Sequence, residues 1–359
     1  MPLSGPSAER SRAIHVASPA AAPRAGSDAD TRTESVAVGA PPDTGDDTPA
    51  LADIALGIAS KAVALTEGVC PPGPFADSPL PQSPLPQIAL PELVCTGMTF
   101  AEGPVWFEDR QTLFFSDFQI ANPLTNFNGR IMTHTPGSGC DVFIEDAGTN
   151  GLAIAPDGNL LGCRHVNQTV SIFDLTSREP SVLIADDDGA SFNSPNDATL
   201  RSDGNLYFTD PNFLRGLRLP ELPARAYRRD PSGTLTVIEE GSEANGINLS
   251  PDEQRLYLSH IGLRNDVVVF DVDASGAVGA PRPFIPIGSD GMAVDCAGNL
   301  YITPETGVLI FDPNGNLIGT IPLPGAANLA FGGPERRTLF ITAAVALFSV
   351  ELAIPGLPN

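Results

Sequence analysis

An internal repeat constrains the fold of this chain more than any other feature of its sequence. Six segments begin with a polar residue, continue as an alternating apolar stretch, and reach a turn seven residues later. A second apolar stretch follows, in which Leu precedes an aromatic or aliphatic residue. Period-two alternation on both sides of a turn predicts a β-hairpin in each segment. The six first residues, called openers here, are Glu102, Asn150, Asn196, Asn245, Asp290 and Asn328.

The spacing of the openers predicts an all-β fold, a six-bladed β-propeller. Successive openers are 38 to 49 residues apart, which is the length of a four-stranded blade. A β-sandwich is the alternative, but six copies in one phase favour the propeller. The last copy leaves room for three strands only, so we expect the stretch at 87–96, PQIALPELVC, to complete that blade. Such a closure removes an exposed sheet edge.

The N-terminal part of the chain differs in composition from the repeats. Residues 1–86 are rich in Ala, Pro, Ser and Asp and poor in aromatic residues, so they bury too little apolar surface to offset the entropy of ordering. We expect a mostly disordered extension at 1–86 and a catalytic propeller domain at 87–359. The stretch Leu51 to Leu65 has apolar residues at helical spacing and predicts at most one short helix. A partner-binding arm is the alternative role of the extension.

Charge and composition argue against several classes of protein. The formal charge of −23 is opposite to that of nucleic-acid-binding proteins. No apolar run is long enough for a membrane-spanning helix, and no export signal is recognisable, so the localisation stays open. The five cysteines are widely spaced without a CxxC pair, and their odd number leaves at least one thiol unpaired. The motifs GxSxG, HExxH, P-loop and GxGxxG are missing.

The openers have a shared chemistry, because each carries a carboxylate or a carboxamide. The first strand of a propeller blade lies against the central channel, so we expect these six oxygen-bearing side chains to converge at one mouth of it. Such oxygens suit hard cations such as Ca²⁺ or Mg²⁺, and the lack of thiolate and imidazole argues against a preference for zinc or copper. One Asn-Gly alone would indicate a turn, but a ring of six predicts a metal site.

Two further groups of side chains are candidates for the site. His165 and His260 fall at the ends of second strands, where each is either a wall residue or a catalytic group. The connection after Asp210 is expected to be a loop over the channel mouth, either solvated and paired with acids or binding substrate through Arg215 and Arg218. Its arginines are Arg215, Arg218, Arg225, Arg228 and Arg229.

Several phrases of the sequence are similar to those of a known family. They are EGPVW at Glu102, SPND around Asn196, SDGNLYFTDP from Ser202, NGINLSPDEQRLY from Asn245, DGMAVD at Asp290 and NLAFGGPERRTLFIT from Asn328. From about 98 to 350, the chain resembles the gluconolactonase family, which includes senescence marker protein (regucalcin) and luciferin-regenerating enzyme. The chain departs from the animal members at Ser194, where they have an arginine that contacts substrate.

The resemblance implies a six-bladed propeller that hydrolyses a sugar lactone or a related small-molecule lactone. It implies one divalent cation at the channel mouth, Ca²⁺ first, with Zn²⁺, Mg²⁺ or Mn²⁺ as alternatives. By matching position, the ligands would be Glu102, Asn196, Asn245 and Asp290, with Asp290 also helping to activate water. Asn150, His165 and Asn328 would line the pocket or support the ligands. A non-catalytic binding propeller with a structural metal, and an arylester or organophosphate hydrolase, stay open as alternatives.

Overall fold

The described part of the chain is built almost wholly of β-strands. The computed structural model describes residues 70, 71, 75, 78–81, 88–122, 126–213 and 218–358. There, 24 strands form six four-stranded antiparallel sheets, and the helical element is a single 3-10 turn at Glu108–Arg110. The predicted six-bladed β-propeller is confirmed. No helix in these ranges is long and apolar enough to cross a membrane. The expected disordered extension and the helix predicted at Leu51 to Leu65 lie outside the described residues.

The strands follow one another from the channel outwards in each blade. Blade 1 contains β2 (Ala101–Phe107), β3 (Thr112–Asn122), β4 (Asn126–His134) and β5 (Cys140–Ile144). Blade 2 contains β6 (Leu152–Ile154), β7 (Leu160–Arg164), β8 (Thr169–Phe173) and β9 (Pro180–Ile184). Blade 3 contains β10 (Ala198–Leu200), β11 (Leu206–Asp210), β12 (Arg225–Arg229) and β13 (Leu235–Glu240). Blade 4 contains β14 (Ala244–Leu249), β15 (Arg255–His260), β16 (Val267–Asp271) and β17 (Arg282–Ile285). Blade 5 contains β18 (Met292–Val294), β19 (Leu300–Ile302), β20 (Gly307–Phe311) and β21 (Leu317–Pro322). Blade 6 contains β22 (Ala326–Gly332), β23 (Thr338–Ala343), β24 (Ala346–Glu351) and, outermost, β1 (Glu92–Thr96).

The last blade is closed by the start of the propeller chain, as the sequence predicts. Strand β1 pairs antiparallel with β24, with Glu92 opposite Ser349 and Thr96 opposite Ala346. A disulfide between Cys95 and Cys140 then joins β1 to β5 of blade 1. The closing strand is therefore bonded on one side to blade 6 and covalently to its neighbour.

The chain contacts the propeller before residue 86. Cys70 forms a disulfide with Cys296 across a sequence separation of 226. Leu80 is buried in the core of blades 5 and 6, and the Ala353 N–H donates to the Pro79 carbonyl at 2.9 Å. Cys163 is a free, buried thiol, as the odd cysteine count requires. Two disulfides are typical of proteins that fold in an oxidising compartment.

Six apolar cores fill the spaces between neighbouring blades. The core between the first and last blades shows the pattern: Trp106 of β2 stacks on Phe340 of β23, with ring centroids 5.7 Å apart. The side chains that face these cores come from the apolar residues that alternate with polar ones in the repeats. Burial of such side chains contributes roughly 1.5–3 kcal/mol each, so the blades are held face to face around the channel.

Glycine allows the inner strands to approach one another closely at the level of the openers. A Cβ on Gly103 would lie 2.1 Å from the Asn150 carbonyl oxygen, and one on Gly291 would lie 2.1 Å from the Asn328 Oδ1. Contacts this short exclude any other residue type. Gly151 and Gly246 are in the same position, with their Cβ sites 2.6 Å and 2.7 Å from the carbonyls of Asn196 and Asp290. Each of these openers therefore has the next opener packed against the residue that follows it.

Buried hydroxyl groups join successive blades at the same level. The Ser116 Oγ donates to the Asn150 carbonyl at 2.6 Å, and the Thr209 Oγ1 donates to the Asn245 carbonyl at 2.8 Å. Blades 4 and 5 repeat the arrangement one residue earlier, with hydrogen bonds from Ser259 to the Ser289 carbonyl at 2.7 Å and from Thr303 to the Ala327 carbonyl at 2.6 Å. These bonds hold the backbone at or just before four of the six openers, Asn150, Asn245, Asp290 and Asn328, at a fixed distance from the preceding blade.

Replacement of one hydroxyl tests this role. In Thr209→Val the shape is kept, but the Asn245 carbonyl and the Asp197 N–H, which also bonds Thr209 Oγ1, lose a buried partner. We expect the free energy of unfolding to fall by about 1–3 kcal/mol, measured by denaturant titration. Thr176→Val, at an exposed turn position, is the matched control and should change stability little. Equal effects of both changes would contradict the role of Thr209.

Two truncations test where the folded unit begins. Removing residues 1–69 keeps Cys70, Leu80 and β1, so the shortened protein should retain one cooperative thermal transition. Removing residues 1–97 takes away the Cys95 disulfide and exposes the edge of β24, so it should abolish cooperative unfolding. Calorimetry distinguishes the two, and similar melting curves for both truncations would contradict closure by β1.

Candidate functional site

All six openers lie at one end of the channel, at or just before the start of an inner strand. Glu102, Asn245 and Asn328 are the second or third residues of β2, β14 and β22, whereas Asn150, Asn196 and Asp290 each precede their strand by two residues. The inner strands are neighbours around the axis. Asp290 is partly exposed and the other five openers are buried. The predicted convergence of the six positions is thus present in the backbone arrangement.

Glu102, Asn245 and Asp290 form the most closely connected part of the ring. The Asn245 Nδ2 donates to the Asp290 Oδ1 at 2.6 Å, and the Gly103 N–H donates to the Glu102 Oε2 at 3.0 Å. Burial, followed by the nearby Asp290 carboxyl, raises the pKa of Glu102 well above its usual value. Burial also raises the pKa of Asp290 to about 6, against the hydrogen bond from Asn245. The two carboxyls therefore share a desolvated space.

A third carboxyl, Asp197, belongs to this group and was missed at the sequence level. It is 8% exposed and accepts a hydrogen bond from the Ala198 N–H at 3.0 Å. Burial raises its pKa to about 7, and the carboxyls of Glu102 and Asp290 both lie close enough to interact with it. The signal was available, because Asp197 stands where the repeats of blades 1, 2, 4 and 5 have glycine.

The remaining asparagines of the ring differ in their contacts. The Asn328 side chain hydrogen-bonds both Glu102 and Asp197, and its Oδ1 accepts from the Leu329 N–H at 2.8 Å. Asn150 and Asn196 are held through their backbones: the Gly151 N–H donates to the Asn196 carbonyl at 2.6 Å, and the Asn150 N–H donates to the Cys163 carbonyl at 2.8 Å. Their carboxamides are held at the ring by backbone position.

The three carboxyls have acidic and amide neighbours. Within the described ranges, none of Glu102, Asp197 and Asp290 forms an ion pair with a basic side chain. Nor, in the same residues, are three side chains among His, Cys, Asp and Glu grouped so as to hold a metal ion. The donor set of the ring is therefore mixed, with two opener carboxylates and neutral carboxamides.

A buried carboxyl anchors the loop that carries Asn196. Asp210, at the end of β11, accepts hydrogen bonds from the backbone N–H groups of Asn193 at 2.8 Å and Ser194 at 2.7 Å. The Asn193 Nδ2 donates to the same carboxyl at 3.1 Å. Burial raises the pKa of Asp210 to about 7, and these hydrogen bonds oppose the shift. Asp210 thus fixes the start of the Ser-Pro-Asn-Asp turn. The Ser194 N–H donates to Asp210, and the Ser194 hydroxyl donates to the Pro211 carbonyl.

His165 lies directly after β7, at the same end of the propeller as Asn150. It is 1% exposed, and its ring packs edge-on against Phe118 with centroids 4.8 Å apart. Burial, followed by Arg218, lowers its pKa to about 3, so the imidazole is neutral at physiological pH. Arg218 donates to the carbonyls of His165 and Val166, each at 2.8 Å, and so holds the turn that carries His165. Arg215 lies outside the described residues.

The predicted arginine-rich loop is shorter than expected. Arg225, Arg228 and Arg229 belong to strand β12, which pairs with β11 along its whole length, and the two residues between Arg225 and Arg228, Ala226 and Tyr227, are buried. The expectation of one loop with five arginines is therefore wrong for these three. Arg225 pairs with Asp187 at 2.7 Å and with Glu240 at 2.6 Å.

His260, the other candidate histidine, is held between two acids. Its Nδ1 lies 2.9 Å from the Asp266 Oδ1 and its Nε2 lies 3.1 Å from the Glu239 Oε1. Arg264 bonds both of these carboxylates. The ring is fully buried, so this geometry is that of a wall residue at the end of β15.

The propeller part of the chain is similar in sequence to a described protein family. The family model described as the SMP-30/gluconolactonase/LRE-like region matches residues 100–345. A gluconolactonase from Zymomonas mobilis is 30% identical over 286 residues, which is 70% of this chain and 78% of the relative. A pentonolactonase from Haloferax volcanii is 28% identical over 298 residues, which is 74% of this chain and 96% of the relative.

A solved structure agrees with the sequence comparison. A gluconolactonase from Xanthomonas campestris is 31% identical, covers 79% of this chain and 98% of its own, and superposes with a TM-score of 0.67. The match of the family model spans all six openers, from Glu102 to Asn328. The chain therefore belongs to the SMP-30/gluconolactonase/LRE-like family.

Proposed function

We propose that this protein is a lactonase that hydrolyses a sugar lactone with a divalent cation, Ca²⁺ first, at the channel mouth. The observation that carries the proposal is the close pair of carboxyls, buried Glu102 and partly exposed Asp290, within a ring of carboxamides, in a family whose named relatives include a gluconolactonase and a pentonolactonase. The propeller is the catalytic domain in this proposal. Its partner is a small lactone.

The chemistry of the ring fits a hard cation. Burial raises the pKa of both carboxyls, and the nearby Asp290 carboxyl raises that of Glu102 further, so keeping both groups charged in this space is costly. A cation bound by oxygen atoms removes the cost, and two carboxylates with neutral amide oxygens are a usual ligand set for Ca²⁺. Glu102, Asn196, Asn245 and Asp290 would hold it. The Asn245 Nδ2 donates to Asp290, so its Oδ1 would be the atom that binds the cation.

The side chains of the mouth divide the work of ester hydrolysis. A bound divalent cation supplies polarisation of the lactone carbonyl, relief of the oxyanion charge and a lower pKa for water. Asp290 is the partly exposed opener, and its carboxylate oxygen accepts the proton of the attacking water or orients that water. Water adds to the carbonyl carbon, the ring C–O bond breaks, and the leaving oxygen takes a proton, which gives the open hydroxy acid.

The substrate pocket is proposed to be lined by neutral polar groups. Asn150 and Asn328 offer carboxamide donors and acceptors to a polyhydroxylated ring. Neutral His165, fixed by Phe118 and Arg218, forms the wall beside Asn150. Arg218 donates to the backbone carbonyls of His165, Val166 and Asn193, so it shapes the wall of the pocket, and Arg215 stays a candidate for contact with substrate. These roles explain how a neutral sugar lactone would be oriented.

The activity itself is tested with a lactone panel and metal stripping. The purified protein should release acid from glucono-1,5-lactone and from pentonolactones, measured at constant pH. Chelator should abolish the release and added Ca²⁺ should restore it. Hydrolysis that survives complete metal removal would contradict the cation, and no hydrolysis of any lactone would leave the non-catalytic binding propeller as the better account.

Glu102→Gln tests the cation ligands. The change keeps the shape of the side chain but removes one of two charges among the four ligands, so we expect Ca²⁺ affinity to fall at least about tenfold, or 1.4 kcal/mol. Calorimetric titration measures it. Glu179→Gln, at an exposed turn, is the control of equal charge change. Equal Ca²⁺ affinity in both variants would remove Glu102 from the site.

Asp290→Asn tests the proton-handling role. At saturating Ca²⁺, the amide cannot accept a proton from water, so we expect kcat to fall by about 10²–10⁴-fold with the fold unchanged. Asp188→Asn, an exposed position on the same side of the propeller, should keep full activity. A loss of Ca²⁺ affinity with normal kcat at saturation would show that Asp290 binds the ion but does not handle the proton.

A further inference from the structure

Two buried aspartates occupy the same place in blades 1 and 3. Asp117 follows Ser116 and Asp210 follows Thr209, the hydroxyl residues that bond the opener carbonyl of the next blade. Both aspartates are fully buried. The corresponding residues of the other blades are Arg164, His260, Pro304 and Ala343. An acid at this place is therefore a feature of blades 1 and 3, and each of these blades supplies one proposed cation ligand.

Each aspartate accepts hydrogen bonds from two consecutive backbone N–H groups. The Asp117 Oδ1 accepts from Thr99 at 2.7 Å and from Phe100 at 3.1 Å. In blade 3, the Asp210 carboxylate accepts from N–H groups of the segment that leads to Asn196. In both blades the donors stand three and two residues before the opener. Blades 1 and 3 thus share one arrangement, in which a buried acid holds the chain just ahead of the opener.

Bonds of this kind can place an opener from outside the ring. A buried backbone N–H needs an acceptor, so the segment keeps the position that offers one. In blade 3 the second donor, Ser194, is followed by Pro195, whose ring fixes φ. A shift of Ser194 would therefore be passed on to Asn196.

We propose that Asp117 and Asp210 are positioning residues, which hold the openers Glu102 and Asn196 in place at the channel mouth. The use of these two openers as cation ligands rests on the proposed function, whereas the hold on their segments is a property of the chain alone and is measurable without a cation. The other two proposed ligands are joined by a direct side-chain hydrogen bond. The two halves of the ligand set would thus be fixed in different ways.

The hold matters more in blade 3 than in blade 1. Glu102 lies within β2, and this strand is bonded at its start, because the Ala101 N–H donates to the Ala344 carbonyl at 2.7 Å. Asn196 lies two residues before β10, so the strand ladder begins only after it. We therefore expect the larger effect on cation binding from a change at Asp210.

Asp210→Asn tests the role in blade 3. The Asp210 Oδ1 bonds Ser194 and its Oδ2 bonds Asn193, whereas an amide offers one acceptor oxygen, so at least one of these bonds is lost. In the cation-free protein, hydrogen exchange of peptides that span 192–197 should become about tenfold faster. Ca²⁺ affinity, measured by calorimetric titration, should fall at least about tenfold, or 1.4 kcal/mol.

Tyr207→Phe is the matched control for a merely structural effect. Tyr207 lies on the same strand, and its hydroxyl donates to the Gly276 carbonyl at 2.7 Å, at the end of the blade away from the openers. Loss of this buried bond should lower the free energy of unfolding but leave the exchange of 192–197 and the Ca²⁺ affinity unchanged. An equal fall in Ca²⁺ affinity in both variants would overturn the proposal.

Asp117→Ala combined with Arg130→Met tests the role in blade 1. Arg130 pairs with Asp117, so both residues are changed to avoid an unpaired charge. Exchange of peptides that span 98–102 should become faster, and Ca²⁺ affinity should fall by a smaller factor than in Asp210→Asn. Unchanged exchange at 98–102 would overturn the role shared by the two blades.

The two readouts separate this proposal from the proposed function. Weaker Ca²⁺ binding without faster exchange would show an effect of charge and would overturn the positioning role of Asp210, as would unchanged exchange and affinity. Faster exchange with unchanged Ca²⁺ affinity would support the hold on the segment and would remove Asn196 from the ligand set. A wild-type protein that binds no Ca²⁺ would contradict the proposed cation, and the exchange rates alone would then support or overturn the hold.

Discussion

Close packing of the inner strands at the level of the openers is the constraint on which the rest of the site depends. Gly103 and Gly291 bring each strand within contact of the next opener, and hydroxyls such as Thr209 fix the distance between blades. Any larger residue at the glycines would push the blades apart. The apolar cores farther out can then stack the blades, but they do not set where the side chains of the ring meet.

This packing forces like charges together, which costs stability. Glu102, Asp197 and Asp290 lie in one desolvated space, and burial raises the pKa of each. A chain selected for stability alone would have amides at all three positions. The proposed cation explains the acids, because it converts a repulsive group into a ligand set. The loop anchored by Asp210 positions Asn196, a neutral member of the proposed ligand set, and it does so without adding a charge to the ring.

The repeat pattern predicted the blades, their order and the closing strand, because each is a local pattern of alternation and turns. It also placed all six openers at one mouth. Asp197 was not found, since it follows an opener and is not one itself; only comparison with the glycines of other blades marks it. The partner of Cys70 could not be predicted either, because a separation of 226 residues gives no information about which turn lies nearby. Strand β12 was hidden because arginines flank its buried Ala226 and Tyr227.

The central claim is that four openers bind one cation, and anomalous X-ray scattering from crystals grown with Mn²⁺ tests it most directly. Mn²⁺ accepts the same oxygen ligands and gives a signal that identifies the ion. The account predicts one strong peak at the channel mouth, bound by oxygens of Glu102, Asn196, Asn245 and Asp290. A mouth without a peak, or an ion bound only at turn carboxylates such as Asp252 and Glu253, would contradict it.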